Sequence, residues 1–189
     1  LLSAFLITII LLIGFVVSDT HILYGVFIVL IGIVLLRLFK INLLSFKKLT
    51  MSQVIYIIGG ALLIYGLDYL YLHFHDVPTN EQELDRELQH MPLYMSIVTI
   101  AIIPAIVEEI VFRGMIIRVV FRKHLFIGLV VSSLVFASLH ESDTWIGYLP
   151  YLYSGVIFGL IYLKTKRLEV VILIHFINNL SSLLILLWG

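Results

Sequence analysis

The sequence contains no cysteine, which excludes disulfides, thiol catalysis and zinc sites built on cysteine. Charge is also scarce: only 13% of the 189 residues are charged, and 12 basic and 12 acidic residues give a formal net charge of zero. Because no overall basic field is present, nucleic acid is not expected as a partner. Apolar residues make up 61% of the chain, more than a soluble domain of this length can bury. The composition predicts an integral membrane protein in contact with a lipid bilayer.

Long apolar runs recur along the whole chain and predict an all-α membrane bundle of about seven transmembrane helices. Several runs are short for a hydrocarbon core of about 30 Å, so we expect flanking aromatic and basic residues to anchor their ends. No internal repeat or linker is visible, which favours one integral membrane domain over residues 1–189. The chain opens on Leu1 rather than Met, so we expect a trimmed N-terminus. The runs lie at about 1–17, 22–38, 50–72, 92–121, 125–139, 146–163 and 168–188.

The loops between these runs alternate in charge, which supports the helix count. Three basic clusters fall on one side, and the positive-inside rule assigns that side to the cytoplasm. The opposite side carries Asp19, the polar stretch 73–91 and the acidic residues of 141–143. The basic residues are Arg37, Lys40, Lys47, Lys48, Arg122, Lys123, Lys164, Lys166 and Arg167.

The polar stretch 73–91 reads HFHDVPTNEQELDRELQHM. We interpret it as a solvated loop with a short helix at about 81–89. The less favoured alternative is a metal or ligand site built from His73, His75 and His90.

The stretch AIVEEIVFRG, residues 105–114, places three charged residues inside an apolar run. A charge at the centre of a spanning helix costs roughly 2.5–3.5 kcal/mol, so these residues need partners or a function. Glu109 and Arg113 are four apart, acid before base, and can neutralise each other along one helix face. Glu108 is rotated by about 100° from Glu109, so we expect it to face a cleft with a raised pKa, as a water-activating base requires.

Two other polar pairs lie at membrane depth. FASLH places Phe136 four residues before His140, and HFINN places His175 four residues before Asn179, so each pair shares a helix face. Counting at 1.5 Å per residue from the basic loops puts Glu108 and both histidines within reach of one another. We expect them to meet in one cleft. For each group alone, helix–helix hydrogen bonding is a comparable alternative, and we prefer that role, or snorkelling, for Asp68.

Three ordered motifs carry a family resemblance: EEIVFR matches EExxxR, FASLH matches FxxxH and HFINN matches HxxxN. The set resembles the CPBP family of CAAX-protease and bacteriocin-processing membrane endopeptidases, also called the Abi family. The resemblance covers roughly Pro92 to Trp188, and we expect residues 92–189 to form a motif-bearing catalytic core. Residues 1–91 show no motif, and we expect them to be variable N-terminal helices.

The resemblance implies a helical bundle around a polar cavity and an intramembrane endopeptidase. It implies that Glu108, with His140, activates a water that attacks a peptide carbonyl. It also implies that His175 and Asn179 stabilise the oxyanion, although Asn178 lies near the same face and competes for that role. We expect Glu109 and Arg113 to give structural support.

Three matters stay open at this stage. Glu108, His140 and His175 could hold Zn²⁺ and make the protein a metalloprotease, but no HExxH motif is present, and we prefer metal-free glutamate chemistry. The resemblance implies a peptide or membrane-protein substrate, such as a bacteriocin leader or immunity target, at a bacterial cell membrane. A non-catalytic scaffold that binds a partner through the same cleft is the main alternative. A transporter is less favoured, because no paired repeats are visible.

Overall fold

The computed structural model describes residues 2–45, 47–88 and 91–188. Within these ranges the chain forms eight helices and no strand. The helices are α1 (Leu2–Thr20), α2 (Ile22–Leu38), α3 (Met51–Phe74), α4 (Thr79–Leu88), α5 (Leu93–Val120), α6 (Leu125–Ser138), α7 (Ile146–Thr165) and α8 (Leu168–Trp188).

Seven of these helices are apolar and lie where the sequence predicts them, so the protein is a polytopic helical membrane bundle. Five of the seven, among the residues described, are long enough to cross a bilayer: α1, α3, α5, α7 and α8. The other two, α2 and α6, have 17 and 14 residues. At 1.5 Å per residue they extend about 26 and 21 Å, less than a typical hydrocarbon core. Of the seven helices predicted to span the membrane, five are long enough to do so, and the other two are shorter apolar helices.

The polar stretch between α3 and α5 contains the predicted short helix, α4, which begins at Thr79 and ends at Leu88. Its first turn is tied to the loop after α6. The hydroxyl of Thr79 donates to Asp143 Oδ2 at 3.0 Å, and the N–H of Asn80 donates to the Glu141 carbonyl at 3.3 Å. The predicted helix end at residue 89 and His90 lie outside the described residues.

Helix α5, which carries both glutamates, is irregular. Its residues Ile97–Ile102 and Ile110–Val120 form π-helical segments, and the α-helical segment Ile103–Glu109 lies between them. Pro104 occupies the first turn of that α-helical segment. π-Helical turns are rare and occur often at functional sites. The glutamates therefore sit at the end of a short regular segment with a changed helical period on both sides.

Close helix contacts in the bundle use small residues, as is usual in membranes. Gly155 of α7 packs against α6, and a Cβ atom added at this glycine would lie 3.1 Å from Ser133 Cα. The close approach also brings the Gly155 carbonyl to Arg113 on α5. This small residue thus lets α5, α6 and α7 meet beside the glutamates.

Candidate active site

The centre of the bundle holds a buried ion pair. Arg113 Nη1 lies 2.8 Å from Glu109 Oε1, and both side chains are fully buried. Arg113 Nη2 donates to the Gly155 carbonyl at 2.8 Å, which links α5 to α7. The guanidinium carbon also lies 5.0 and 5.2 Å from the ring centroids of Phe136 and Phe158, within cation–π range. The positive charge of Arg113 is therefore stabilised by the Glu109 carboxylate, the Gly155 carbonyl and two aromatic rings.

His175 joins this pair from α8. Its Nδ1 lies 2.9 Å from Glu109 Oε1, so Nδ1–H can donate to the carboxylate. Its ring stacks on Phe158 with centroids 4.9 Å apart and an interplanar angle of 21°. With Nδ1 held, Nε2 points to the second glutamate and lies 3.9 Å from Glu108 Oε2. A hydrogen bond from one imidazole nitrogen orients the other, and Glu109 has that effect here.

Glu108 has fewer protein partners than the neighbouring Glu109. Its side chain is 15% exposed, and Oε2 is buried without a hydrogen-bond partner among the described residues. The adjacent Glu109 receives both Arg113 and His175 through Oε1. The two neighbouring glutamates therefore have different environments, because one helical step of about 100° turns them to different faces.

His140 follows α6 and lines the same cavity as Glu108. Its Nδ1 lies 2.9 Å from the Phe136 carbonyl, one turn earlier. Its ring stacks on Tyr151 of α7 with centroids 4.0 Å apart and an interplanar angle of 15°. The Tyr151 hydroxyl is buried and, within the described part of the chain, has no hydrogen-bond partner in good geometry. The His140 ring is thus held by a hydrogen bond at Nδ1 and by stacking on one face, and its Nε2 is left for a substrate or water.

These groups surround a cavity of about 540 Å³ that collects polar side chains from α1, α4, α5, α7, α8 and the end of α6. Its apolar lining includes Phe112, Phe136 and Phe158, and no lysine or arginine is among the lining residues described. The carboxylate and imidazole side chains in the lining are those of Asp19, Glu81, Glu108, His140 and His175.

Asn179 and Asn178 also line this cavity. The side-chain N–H of Asn179 donates to the Ile100 carbonyl of α5 at 3.1 Å. The amide expected to serve an oxyanion is therefore already bonded to backbone through one hydrogen. Asn178 is half-buried and faces both this cavity and a neighbouring one toward α3.

The donors expected for a metal do not come together as a ligand set. Across the described ranges, no three His, Cys, Asp or Glu side chains form a group that could hold a metal ion. This applies to Glu108, His140 and His175, and to the alternative at His73 and His75. His175 and His140 use Nδ1 on Glu109 and on the Phe136 carbonyl, which leaves Nε2 of each ring facing the cavity.

Sequence reasoning missed several residues that shape the site. Tyr151 and Phe158 stack on the two histidines, and the Gly155 carbonyl receives Arg113. No motif marks them, since stacking partners on another helix leave no fixed spacing in the sequence.

Glu81 of α4 also lines the cavity, and its pKa is raised to about 7, first by burial and then by the charge of Asp68. Asp68 itself accepts a hydrogen bond from Tyr153, which joins α3 to α7.

The fold and this site define a class: a multi-pass membrane protein with a buried carboxylate–imidazole site facing an internal cavity. The sequence comparisons specify the class further. Residues 90–181 match the family model described as "Type II CAAX prenyl endopeptidase Rce1-like". This match and the three ordered motifs support placing the chain in the CPBP family.

The chain is also similar to a protein of Staphylococcus aureus (strain USA300), "Membrane-embedded CAAX protease MroQ". The two are 33% identical over 142 residues, a segment that covers 66% of this chain. The same segment covers 56% of MroQ, so the chain matches little more than half the length of this curated relative. No solved structure matches this chain.

Proposed function

We propose that this protein is an intramembrane endopeptidase that hydrolyses a peptide bond of a membrane-associated peptide or protein. The observation that carries the proposal is the position of Glu108. Its Oε2 is buried, has no hydrogen-bond partner among the described residues and lies 3.9 Å from His175 Nε2, at the wall of a cavity. A water in that gap would have a base on one side and an imidazole on the other. The match to the type II CAAX prenyl endopeptidase family model and the similarity to a CAAX protease support the same reaction class.

In the proposed reaction, Glu108 removes a proton from the water, and the hydroxide attacks the peptide carbonyl carbon. The carbonyl π electrons move to oxygen and give a tetrahedral oxyanion. The intermediate collapses as the C–N bond breaks, and the amine leaves with the proton that the glutamate received. A positioned acid–base group of this kind contributes about 10²–10⁴-fold in rate.

The two histidines receive different roles. His175 is held through Nδ1 by Glu109, and we assign its Nε2, which faces Glu108 and the cavity, to the oxyanion. His140 keeps Nε2 available because Nδ1 is bonded to the Phe136 carbonyl. It is placed to assist proton transfer between water, Glu108 and the leaving amine. Glu109 and Arg113 support these groups without touching the substrate. The proposed steps are written with these protein groups and water alone.

The substrate class follows from the cavity and from the relatives. The cavity lies within a membrane bundle and is lined by phenylalanines together with carboxylates, so it suits an apolar or cationic peptide segment better than an anionic one. The Staphylococcus relative is named as a membrane-embedded CAAX protease, which supports a membrane-associated substrate here. We place the protein in a bacterial cell membrane, with the basic loops on the cytoplasmic side.

The test compares protein and peptide N-termini, by mass spectrometry, in cells that make the unmodified chain or its Glu108→Gln variant. Glu141→Gln is the matched control, because it makes the same chemical change on an exposed residue outside the cavity. The expected result is a set of N-termini present with the unmodified chain and the control and absent with Glu108→Gln.

If the three cell lines yield identical termini at matched protein levels, the proposed hydrolysis is wrong. Pull-down of the same partner by the unmodified chain and Glu108→Gln would then favour the scaffold, in which the cavity binds a partner without cleaving it.

A further inference from the structure

A second cavity lies beside the candidate active site, between α3, α4, α7 and α8. Its volume is about 360 Å³, and its walls include Asp68 of α3, Glu81 of α4 and Tyr151 of α7. We call it the side cavity. Several residues line both this cavity and the one that contains Glu108, so the two adjoin and a bound peptide can extend from one into the other. The shared lining residues are Glu81, Tyr151, Ser154, Asn178 and Ser182.

The lining of the side cavity is acidic and aromatic. Asp68 and Glu81 supply two carboxylates, and no lysine, arginine or histidine is among the lining residues that the structure describes. Asp68 accepts the Tyr153 hydroxyl, which is a neutral donor. The ion pairs found within the described ranges involve neither carboxylate. Carboxylates and the faces of aromatic rings both attract cations. The aromatic lining residues are Tyr65, Tyr69, Tyr71 and Tyr151.

Tyr151 indicates a ligand independently of the two carboxylates. The residue is only 8% exposed, and its hydroxyl is buried without a hydrogen-bond partner in good geometry in the described part of the chain. Buried polar groups are nearly always hydrogen-bonded, so an unpartnered hydroxyl at a cavity wall suggests that a ligand completes it. The charges of Glu81 and Asp68 act on this hydroxyl, whereas the tyrosine ring stacks on His140. Tyr151 therefore connects the side cavity to the candidate active site.

These groups suit an organic cation. A lysine ammonium has three N–H donors and an arginine guanidinium has five, so either can donate to two carboxylates and to a hydroxyl oxygen at once. A positive charge between Asp68 and Glu81 would also relieve their mutual repulsion, which contributes, after burial, to the raised pKa of Glu81. A metal ion is a poorer fit, because the described residues contain no group of three His, Cys, Asp or Glu side chains that could hold one.

We propose that the side cavity is a specificity subsite in which Asp68, Glu81 and the Tyr151 hydroxyl bind the cationic group of a substrate lysine or arginine. The inference rests on the proposed peptidase function and names the substrate class of that same site. Since the Tyr151 ring stacks on His140, binding of the cation holds the peptide beside this imidazole. A neutral side chain would leave the two carboxylates without a cation, and sites built for a polar group reject analogues that lack it.

The cleavage arm of the test uses the protein N-termini that depend on Glu108. These should show lysine or arginine at one fixed position relative to the cleaved bond. Asp68→Asn and Glu81→Gln should each slow cleavage at such sites by about tenfold to a hundredfold, as expected when a hydrogen bond to a charged group is lost. Glu141→Gln is the matched control, because Glu141 is exposed and lines neither cavity, and it should cleave like the unmodified chain.

A change in the substrate tests the same contact without altering the enzyme. Replacing the basic residue of one cleaved protein by glutamine should slow its cleavage by the unmodified chain about tenfold to a hundredfold. In Glu81→Gln the same replacement should cost less than about threefold, because the two changes remove one interaction. This comparison holds even where Asp68→Asn fails to fold.

The binding arm does not require cleavage. It uses purified Glu108→Gln protein in detergent and two capped pentapeptides, acetyl-LLKLL-amide and acetyl-LLQLL-amide. This variant also removes a carboxylate of the adjoining cavity that could attract the lysine. The lysine peptide should bind at least about tenfold more tightly than the glutamine peptide. The preference should fall below about threefold when Glu81→Gln and Asp68→Asn are added, and it should persist when Glu141→Gln is added instead.

The outcomes separate the subsite from the proposed function. Glu108-dependent termini without a preferred basic residue, or equal affinities for the two peptides, would overturn the subsite and leave the peptidase in place. A lysine preference that survives the loss of both carboxylates would place the cation elsewhere and overturn it as well. If no termini depend on Glu108, the proposed function is wrong. The binding arm then decides the cation site by itself, and a lysine preference that is lost with the two carboxylates would still support it.

Discussion

The strongest stability prediction concerns Arg113, whose guanidinium is fully buried between Glu109, the Gly155 carbonyl and aromatic rings. Arg113→Met keeps an unbranched side chain of similar length but removes the charge and both hydrogen bonds. Glu109 would then be a buried carboxylate with His175 as its remaining partner. Removing one member of a buried pair costs about 3–5 kcal/mol. For a chain of this length, that corresponds to a fall of about 6–20 °C in Tm.

The assay is thermal unfolding in detergent, together with the amount of folded protein recovered from membranes. Arg122→Met is the matched control, since Arg122 follows the same helix but is exposed, and its loss should cost no more than about 0.5 kcal/mol. Equal and small Tm changes for the two variants would refute the assignment of Arg113 as the compensating charge of the core.

Three further predictions follow from particular contacts. Glu108→Gln should slow cleavage by at least about a hundredfold while shifting Tm little, because Oε2 has no hydrogen-bond partner to lose within the described chain; parallel activity and melting measurements check this. Tyr153→Phe should cost about 1–3 kcal/mol by leaving Asp68 without its hydroxyl donor, and an unchanged melting curve would argue against that bond. Glu81 has a folded pKa of about 7 against 4.5 when unfolded, so the folded state binds the extra proton between these values. Stability should therefore fall by up to about 3 kcal/mol as pH rises from 4.5 to 7, and Glu81→Gln should remove that slope.

Much of the fold could be predicted because lipid imposes a simple rule on sequence. A spanning segment must satisfy its backbone internally and present apolar side chains, so hydropathy alone located seven apolar helices. The polar stretch after α3 was also interpreted correctly as containing a short helix, which begins two residues earlier than predicted. The π-helical segments of α5 were not predicted, because their apolar side chains carry no signal that separates a period of 3.6 from a longer one.

The residues of the candidate site were selected from sequence by a different argument. Ionisable groups in apolar runs are costly, and the helical period separates Glu108 from the Glu109–Arg113 face. Their functional roles remain proposals. The sequence did not indicate that Glu109 would also bind His175, because that contact joins α5 to α8 across 66 positions of the chain.

By itself, the sequence determined the membrane environment, the helical class, the family motifs and the separation of two adjacent glutamates to different faces, since each follows from composition or local periodicity. The tertiary structure decided which nitrogen of each histidine is held, which carbonyl Asn179 binds, and which aromatic rings cover Arg113 and the imidazoles. Those contacts join residues on different helices, and their geometry depends on helix rotation, depth and irregular turns. The spacing of residues within one helix does not specify its rotation, its depth or its irregular turns. Only the packing of the helices against one another determines them.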